Sequence, residues 1–300
     1  MGMLEAIHPR QAFVHRLPLT RDQCMLLMAA VNLIFLGIDT YLAHLISGTI
    51  RPNEWIPVIF GLTAGVVLLV AGLIALRNRR LATWLATVVL LASIGVGLLG
   101  AYFHWMRAIL PTAPLGERVS IDLLVWAPPI LGPLTFALVG VLGISAAWIE
   151  SPPDSGVLLL SRRRRLRMPY SKTRAYLFWV SMGSLATVIS SVLDHARTGF
   201  TNPWLWIPTA VGVFATVVAL VLGALDNPSP TDLRVFLVSM LLMILVGLVG
   251  AGLHVELDLT TMNEFVVERF VRGAPVLAPL LFCNMGALGL IVLLGPDPAV

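Results

Sequence analysis

The sequence predicts an all-α integral membrane protein: eight transmembrane helices as two tandem parallel four-helix repeats, N-in/C-in. Composition, the spacing of charge-free runs and an internal match between the two halves predict it. Of 300 residues, 58% are apolar and 12% charged, and the mean hydropathy is +0.90. An ordinary globular domain carries roughly 25% charged residues. Runs free of Asp, Glu, Lys and Arg cover 23–38, 56–76, 81–106, 123–149, 175–193, 198–225, 235–255 and 273–296. A helix needs about 20 largely apolar residues to cross about 30 Å of hydrocarbon, so each run is read as one span, the first completed by a stretch that includes Asp39.

Residues 1–22 come first, an arm carrying Glu5, Arg10, Arg16, Arg21 and Asp22. It has no apolar run long enough for a signal-peptide core and is expected to remain cytoplasmic. Residues 23–149 form repeat 1, 150–172 a basic cytoplasmic linker and 173–300 repeat 2. The linker opens with Ser151, Pro152, Pro153, Asp154, Ser155 and Gly156, a helix-breaking composition. It continues with Arg162, Arg163, Arg164, Arg165 and Arg167. Basic residues beside anionic lipid contribute about 1 kcal/mol each, so these arginines are expected to anchor the inner leaflet, with docking of a partner protein as the alternative use.

The repeat rests on matched positions. His44, Gly48, Pro52, Trp55, Ile56 and Pro57 recur at the same spacing as His195, Gly199, Pro203, Trp206, Ile207 and Pro208. Gly100, Ala101 and His104 recur as Gly250, Ala251 and His254, and Pro129, Pro133, Leu134 and Phe136 as Pro275, Pro279, Leu280 and Phe282. Of the six histidines, only His8 and His15 lie outside the pattern. Each half holds an even number of spans, so both enter the bilayer in the same direction, related by a pseudo-two-fold axis along the membrane normal.

Orientation follows from the basic residues, which collect in cytoplasmic loops. With the N-terminus inside, 14 of the 20 Lys and Arg residues fall on inner segments; Arg51, Arg107, Arg118, Arg197, Arg269 and Arg272 remain outside. The location expected is the cytoplasmic membrane of a bacterium-like cell, with both termini cytoplasmic. The pI of 9.6 then reflects inner loops rather than nucleic-acid binding.

Smaller features fit the same architecture. Pro57 and Pro208 suit the first turn of a helix, and Trp55 and Trp206 suit the interfacial belt. Gly95, Gly97, Gly100, Gly247, Gly250 and Gly252 allow close helix packing, and the same gap would admit a flat cofactor. Cys24 and Cys283 form no C-x-x-C motif and read as small buried hydrophobes.

The first, third, fifth and seventh spans run outward, which places His44, His104, His195 and His254 at one outer level. In an up-down-up-down bundle the first and third helices are diagonal, setting His44 opposite His104 and His195 opposite His254. Two facing imidazoles can axially ligate a haem b iron, with Arg51, Arg107 and Arg197 available to the propionates. The arrangement resembles the diagonal histidine pairs of small membrane cytochromes b, which implies a redox role, such as a membrane subunit of an electron-transfer complex with a redox or assembly partner protein. A second reading brings all four rings to the pseudo-dyad as one transition-metal site.

Acidic neighbours break the symmetry. Asp39 aligns with Ser190, Glu54 with Leu205, Asp194 with Ala43 and Glu256 with Met106, while Asp258 lies farther along the seventh span. Asp39, Asp194, Glu54 and Glu256 are the residues a proton- or cation-coupled transporter or channel would use, since an intramembrane carboxylate is a functional hypothesis by default. Asp39 and His44 lie about 140° apart around a regular helix, so the two are not expected to share an ion. The plainest account is that each histidine caps its helix C-terminus, worth about 0.3–1 kcal/mol when protonated, in a cofactor-free structural or assembly subunit. No P-loop, H-E-x-x-H or G-x-S-x-G motif occurs, so catalysis of those kinds is not indicated.

Overall fold

The computed structural model describes residues 19–45, 48–160, 164–260 and 273–296. The N-terminal arm up to residue 18, with His8 and His15, and the linker residues Arg162 and Arg163 lie outside them, as do Arg269 and Arg272. The helices are α1 (Arg21–Leu45), α2 (Trp55–Ala75), α3 (Arg79–Ala108), α4 (Ile121–Trp126), α5 (Leu131–Ala147), α6 (Lys172–Ala196), α7 (Trp206–Ala224), α8 (Pro230–Thr260) and α9 (Leu277–Val292). In the linker, β1 (Val157–Leu159) and β2 (Arg165–Arg167) form an antiparallel ribbon pairing Val157 with Arg167 and Leu159 with Arg165.

Six helices among the described residues are long and apolar enough to cross a membrane: α1, α2, α3, α6, α7 and α8. Their outward faces are apolar too; Val66, Val88, Leu245 and Leu248 are each more than half exposed. A helix apolar all round belongs in a core or in lipid, and this is the character of a multi-pass membrane protein. The other two apolar runs make shorter helices, 17 residues in α5 and 16 in α9, or about 25 Å at 1.5 Å per residue. The run 123–149 is interrupted because Pro128 and Pro129 follow Ala127, and proline both lacks an N–H and disfavours helix at the residue before it. The last run begins its helix only beyond Pro275.

Local signals set the starts of the site-bearing helices. The Asn78 side chain accepts the Leu81 N–H ahead of α3, and Ser171 accepts the Arg174 N–H ahead of α6, each satisfying an N–H that has no partner within the helix. Helix α1 packs on α2 and α5, and α3 on the same two, so α1 and α3 stand diagonally. Helices α6 and α8 stand likewise across α7 and α9. Leu33, Leu90 and Phe136 belong to the first core, and Met240, Met243 and Phe282 to the second. Between the two sets, α1 meets α9 and α5 meets α6.

Glycine lets backbones touch within each set. A Cβ on Gly97 would lie 2.6 Å from the Ala137 nitrogen, and one on Gly247 2.7 Å from the Cys283 nitrogen. On the partner helices, a Cβ on Gly140 would lie 2.6 Å from the Leu90 carbonyl oxygen and one on Gly286 2.5 Å from that of Met240. Helices α5 and α9 therefore fill the gap at these glycines that the sequence left open to a flat cofactor; only Gly95 and Gly252 of the six named above face open space. Gly140→Ala is expected to cost about 1–3 kcal/mol through overpacking and to lower the thermal midpoint in detergent. Gly95→Ala should leave that midpoint unchanged or raise it, because Ala is the better helix former.

A buried polar cluster ties α1 to α6. Arg21 Nη1 donates to Thr173 Oγ1 at 2.7 Å, Lys172 Nζ donates to the Asp22 carboxylate, and the Tyr176 hydroxyl donates to Asp22 Oδ1 at 2.9 Å. The Arg21 guanidinium also lies over the Tyr176 ring. All five side chains are buried. The spacing that matches His44 with His195 also matches position 21 with 172 and 22 with 173, so position 21 bonds to 173 while 172 bonds to 22.

Candidate functional site

The first histidine pair spans the diagonal of the first helix set. His44 lies in the last turn of α1 and His104 one turn before the end of α3, their ring centres 6.1 Å apart and their planes at 60°. His44 Nδ1 lies 2.8 Å from the Thr40 carbonyl oxygen, and His104 Nδ1 2.8 Å from that of Pro129. A carbonyl only accepts, so Nδ1 of each ring carries the proton of this bond, and in the neutral tautomer Nε2 keeps the lone pair. Beside the pair, the buried Glu54 accepts the Arg51 backbone N–H at 2.8 Å and Arg107 Nη2 at 3.1 Å.

The second pair repeats the arrangement across α6 and α8. His195 and His254 have ring centres 6.5 Å apart and planes at 88°. His254 Nδ1 lies 3.0 Å from the Pro275 carbonyl oxygen, while His195 Nδ1 meets the Ser191 hydroxyl at 3.3 Å. Phe200 stands edge-on to His195 and stacks on Trp206 at 4.5 Å. Asp194 and Arg197 form a looser, partly exposed ion pair at 3.9 Å. Arg197 also donates through Nε to the Val125 carbonyl at 2.9 Å and through Nη2 to that of Ala127 at 3.4 Å.

The histidines thus associate as two pairs and not as one cluster. Among the described residues no three His, Cys, Asp or Glu side chains come together around a position for an ion, so the four-imidazole metal site is not formed; each pair offers two ligands. Capping describes His44, whose Nδ1 bonds within its own last turn, but not His104 or His254, whose Nδ1 atoms reach carbonyls 25 and 21 residues away. Asp39 and Glu256 are exposed on the surfaces of α1 and α8. Of the arginines expected near propionates, Arg107 is held by Glu54, Arg197 by carbonyls of the other helix set, and Arg51 is exposed.

Two supporting groups, Thr40 and Ser191, escaped the sequence reading, and a third, Asp258, was read only as an acidic neighbour. Thr40 and Ser191 each precede a site histidine by four residues, the one legible hint. Asp258, four residues beyond His254, is buried and accepts the Ala274 N–H through Oδ1 at 2.9 Å. Comparison with protein-family models, curated proteins and solved structures found no match to this chain.

Proposed function

We propose that this chain is a redox membrane protein in which each four-helix half holds one haem b between its paired histidines, His44 with His104 and His195 with His254. The ring separations carry the reading. Two imidazoles on opposite sides of one metal, each bonded at about 2.0–2.1 Å through a nitrogen about 1.2 Å from the ring centre, have centres about 6.4 Å apart. The two pairs, at 6.1 and 6.5 Å, bracket that value. The chain also supplies what orients such ligands: Nδ1–H of His44, His104 and His254 bonds to a carbonyl, which directs Nε2 to the metal. A porphyrin brings its own equatorial ligands, in keeping with pairs that have no third protein ligand. Held by these histidines, a haem would supply one-electron chemistry, its potential tuned by His44, His104, His195 and His254, their hydrogen bonds and their burial.

The wider reading is of eight spans in tandem parallel repeats with both termini inside a bacterium-like cytoplasmic membrane, serving as the membrane subunit of an electron-transfer complex. It is supported by the matched glycine contacts, the matched diagonals and the reciprocal bonding of 21 with 173 and 172 with 22, since a two-fold makes residue i meet j and j meet i. The arginines at 164, 165 and 167, exposed on and beside the linker ribbon, fit contact with anionic lipid. The test is a visible spectrum and haem assay on the chain purified after expression with haem precursor. Two haems per chain with split low-spin bands are expected. Stoichiometric copper or zinc without haem would replace the porphyrin with a bare ion, and neither haem nor metal would return the histidines to packing and capping.

A further inference from the structure

The two pairs share one supporting device, a proline carbonyl on an outer segment that accepts Nδ1–H of the α3 or α8 histidine. What holds that segment differs. In the second half, Asp258 Oδ1 accepts the N–H of Ala274, the residue next to Pro275, whose carbonyl takes His254. Asp258 lies one turn beyond His254 on the same helix, so the brace is closed within its own half. In the first half, the brace crosses over. Arg197, two residues past His195, donates to Val125 and Ala127, and the Pro129 carbonyl two residues on takes His104. The position matching Arg197 is Ile46, an aliphatic residue whose side chain has no donor to return the contact.

We propose that Arg197 and Asp258 are positioning residues with a dependence that runs one way among the described residues: the second half sets the orientation of His104 in the first pair, while His254 is braced by its own half. The charged guanidinium makes a stronger bond to a carbonyl than a neutral donor would. The carbonyls of Val125 and Ala127 lie at the end of α4, where the Ala127 N–H still bonds to the Leu123 carbonyl. Residues 127–130 then run without regular structure to α5, so the Arg197 bonds anchor the start of the stretch that carries Pro129. Asp258 likewise receives a role that accounts for a buried carboxylate the histidine geometry alone leaves unexplained. The inference rests on the histidine pairs being the functional sites but not on what they bind.

Full-length protein labelled with ¹⁵N-histidine, in detergent and reduced so that any iron is diamagnetic, tests it through the ring N–H resonances. His104→Asn and His254→Asn assign the two signals. Arg197→Gln is expected to shift the His104 Nδ1–H resonance and quicken its exchange with solvent several-fold, leaving His254 in place. Asp258→Ala is expected to do the reverse, and Arg197→Lys, which keeps a charged donor, to restore part of the His104 signal. Variants that move both rings equally, or neither ring, overturn the proposal; if Arg197→Gln fails to fold, the Asp258→Ala and Arg197→Lys spectra decide it alone. Visible spectra of the same samples report the cofactor separately, so a chain without haem whose rings respond selectively would sink the haem reading and keep this one.

Discussion

On the proposed reading of one haem per histidine pair, His104→Ala protein is expected to hold one haem per chain in place of two, with the remaining spectrum that of the His195 and His254 site. Removing one axial imidazole leaves His44 alone, and a single exchangeable ligand retains haem poorly; occupancy of the first site should fall at least about tenfold, the equivalent of about 1.4 kcal/mol. His104 is only half-buried, so the substitution opens no large cavity and the fold should survive, which thermal unfolding checks. His254→Ala should remove the other haem and the double variant both. His15→Ala, outside the matched positions, is the control that changes neither. Two haems retained in the double variant would exclude the pairs as ligands.

Much of this architecture was legible because a membrane span is written as a long charge-free run, and α1, α2, α3, α6, α7 and α8 fall on such runs. The shortfall at α5 and α9 was written too, in Pro128, Pro129 and Pro275, but hydropathy windows weigh proline as composition and not as a missing N–H. The histidine pairing was expected from the matched spacing and from reading each half as an even number of spans. What the spacing could not give was rotation. In a soluble helix the polar face marks the outside, whereas here lipid-facing and core-facing positions are both apolar, so nothing in the sequence said that Asp39 faces outward or that Glu54 and Arg107 meet beside the first pair. The proline carbonyls were visible only as matched prolines, because a backbone acceptor carries no side-chain signature. The Arg197 contact depends on the path of the segment between α3 and α5 across the other half, which local patterning does not encode.

The largest loss of stability is expected from Asp22→Ala. Among the described residues Asp22 is the carboxylate that accepts from Lys172 Nζ and the Tyr176 hydroxyl, while Glu150 accepts the Lys172 backbone N–H, and Arg21, Asp22 and Lys172 are each no more than 5% exposed. Truncating the carboxylate leaves two buried cations without the counter-ion that bonds Lys172 Nζ, and breaking a buried pair in this way costs about 3–5 kcal/mol because the remaining charge is not hydrated. The cluster links α1 to α6, so the cost should appear as a much lower thermal midpoint and as easier separation of the two halves after proteolytic cleavage in the linker. An apolar replacement of the whole set, Arg21→Met with Asp22→Leu and Lys172→Met, should recover most of the loss, since a buried ion pair exchanged for packed hydrophobes is often neutral or stabilising. A native midpoint in Asp22→Ala would show that water or lipid headgroups reach the two cations and that the seam is held by α1 against α9 and α5 against α6. Recovery in the triple variant would instead place the cost in the stranded charge, leaving Tyr176 and the surrounding apolar contacts as what holds the halves in register.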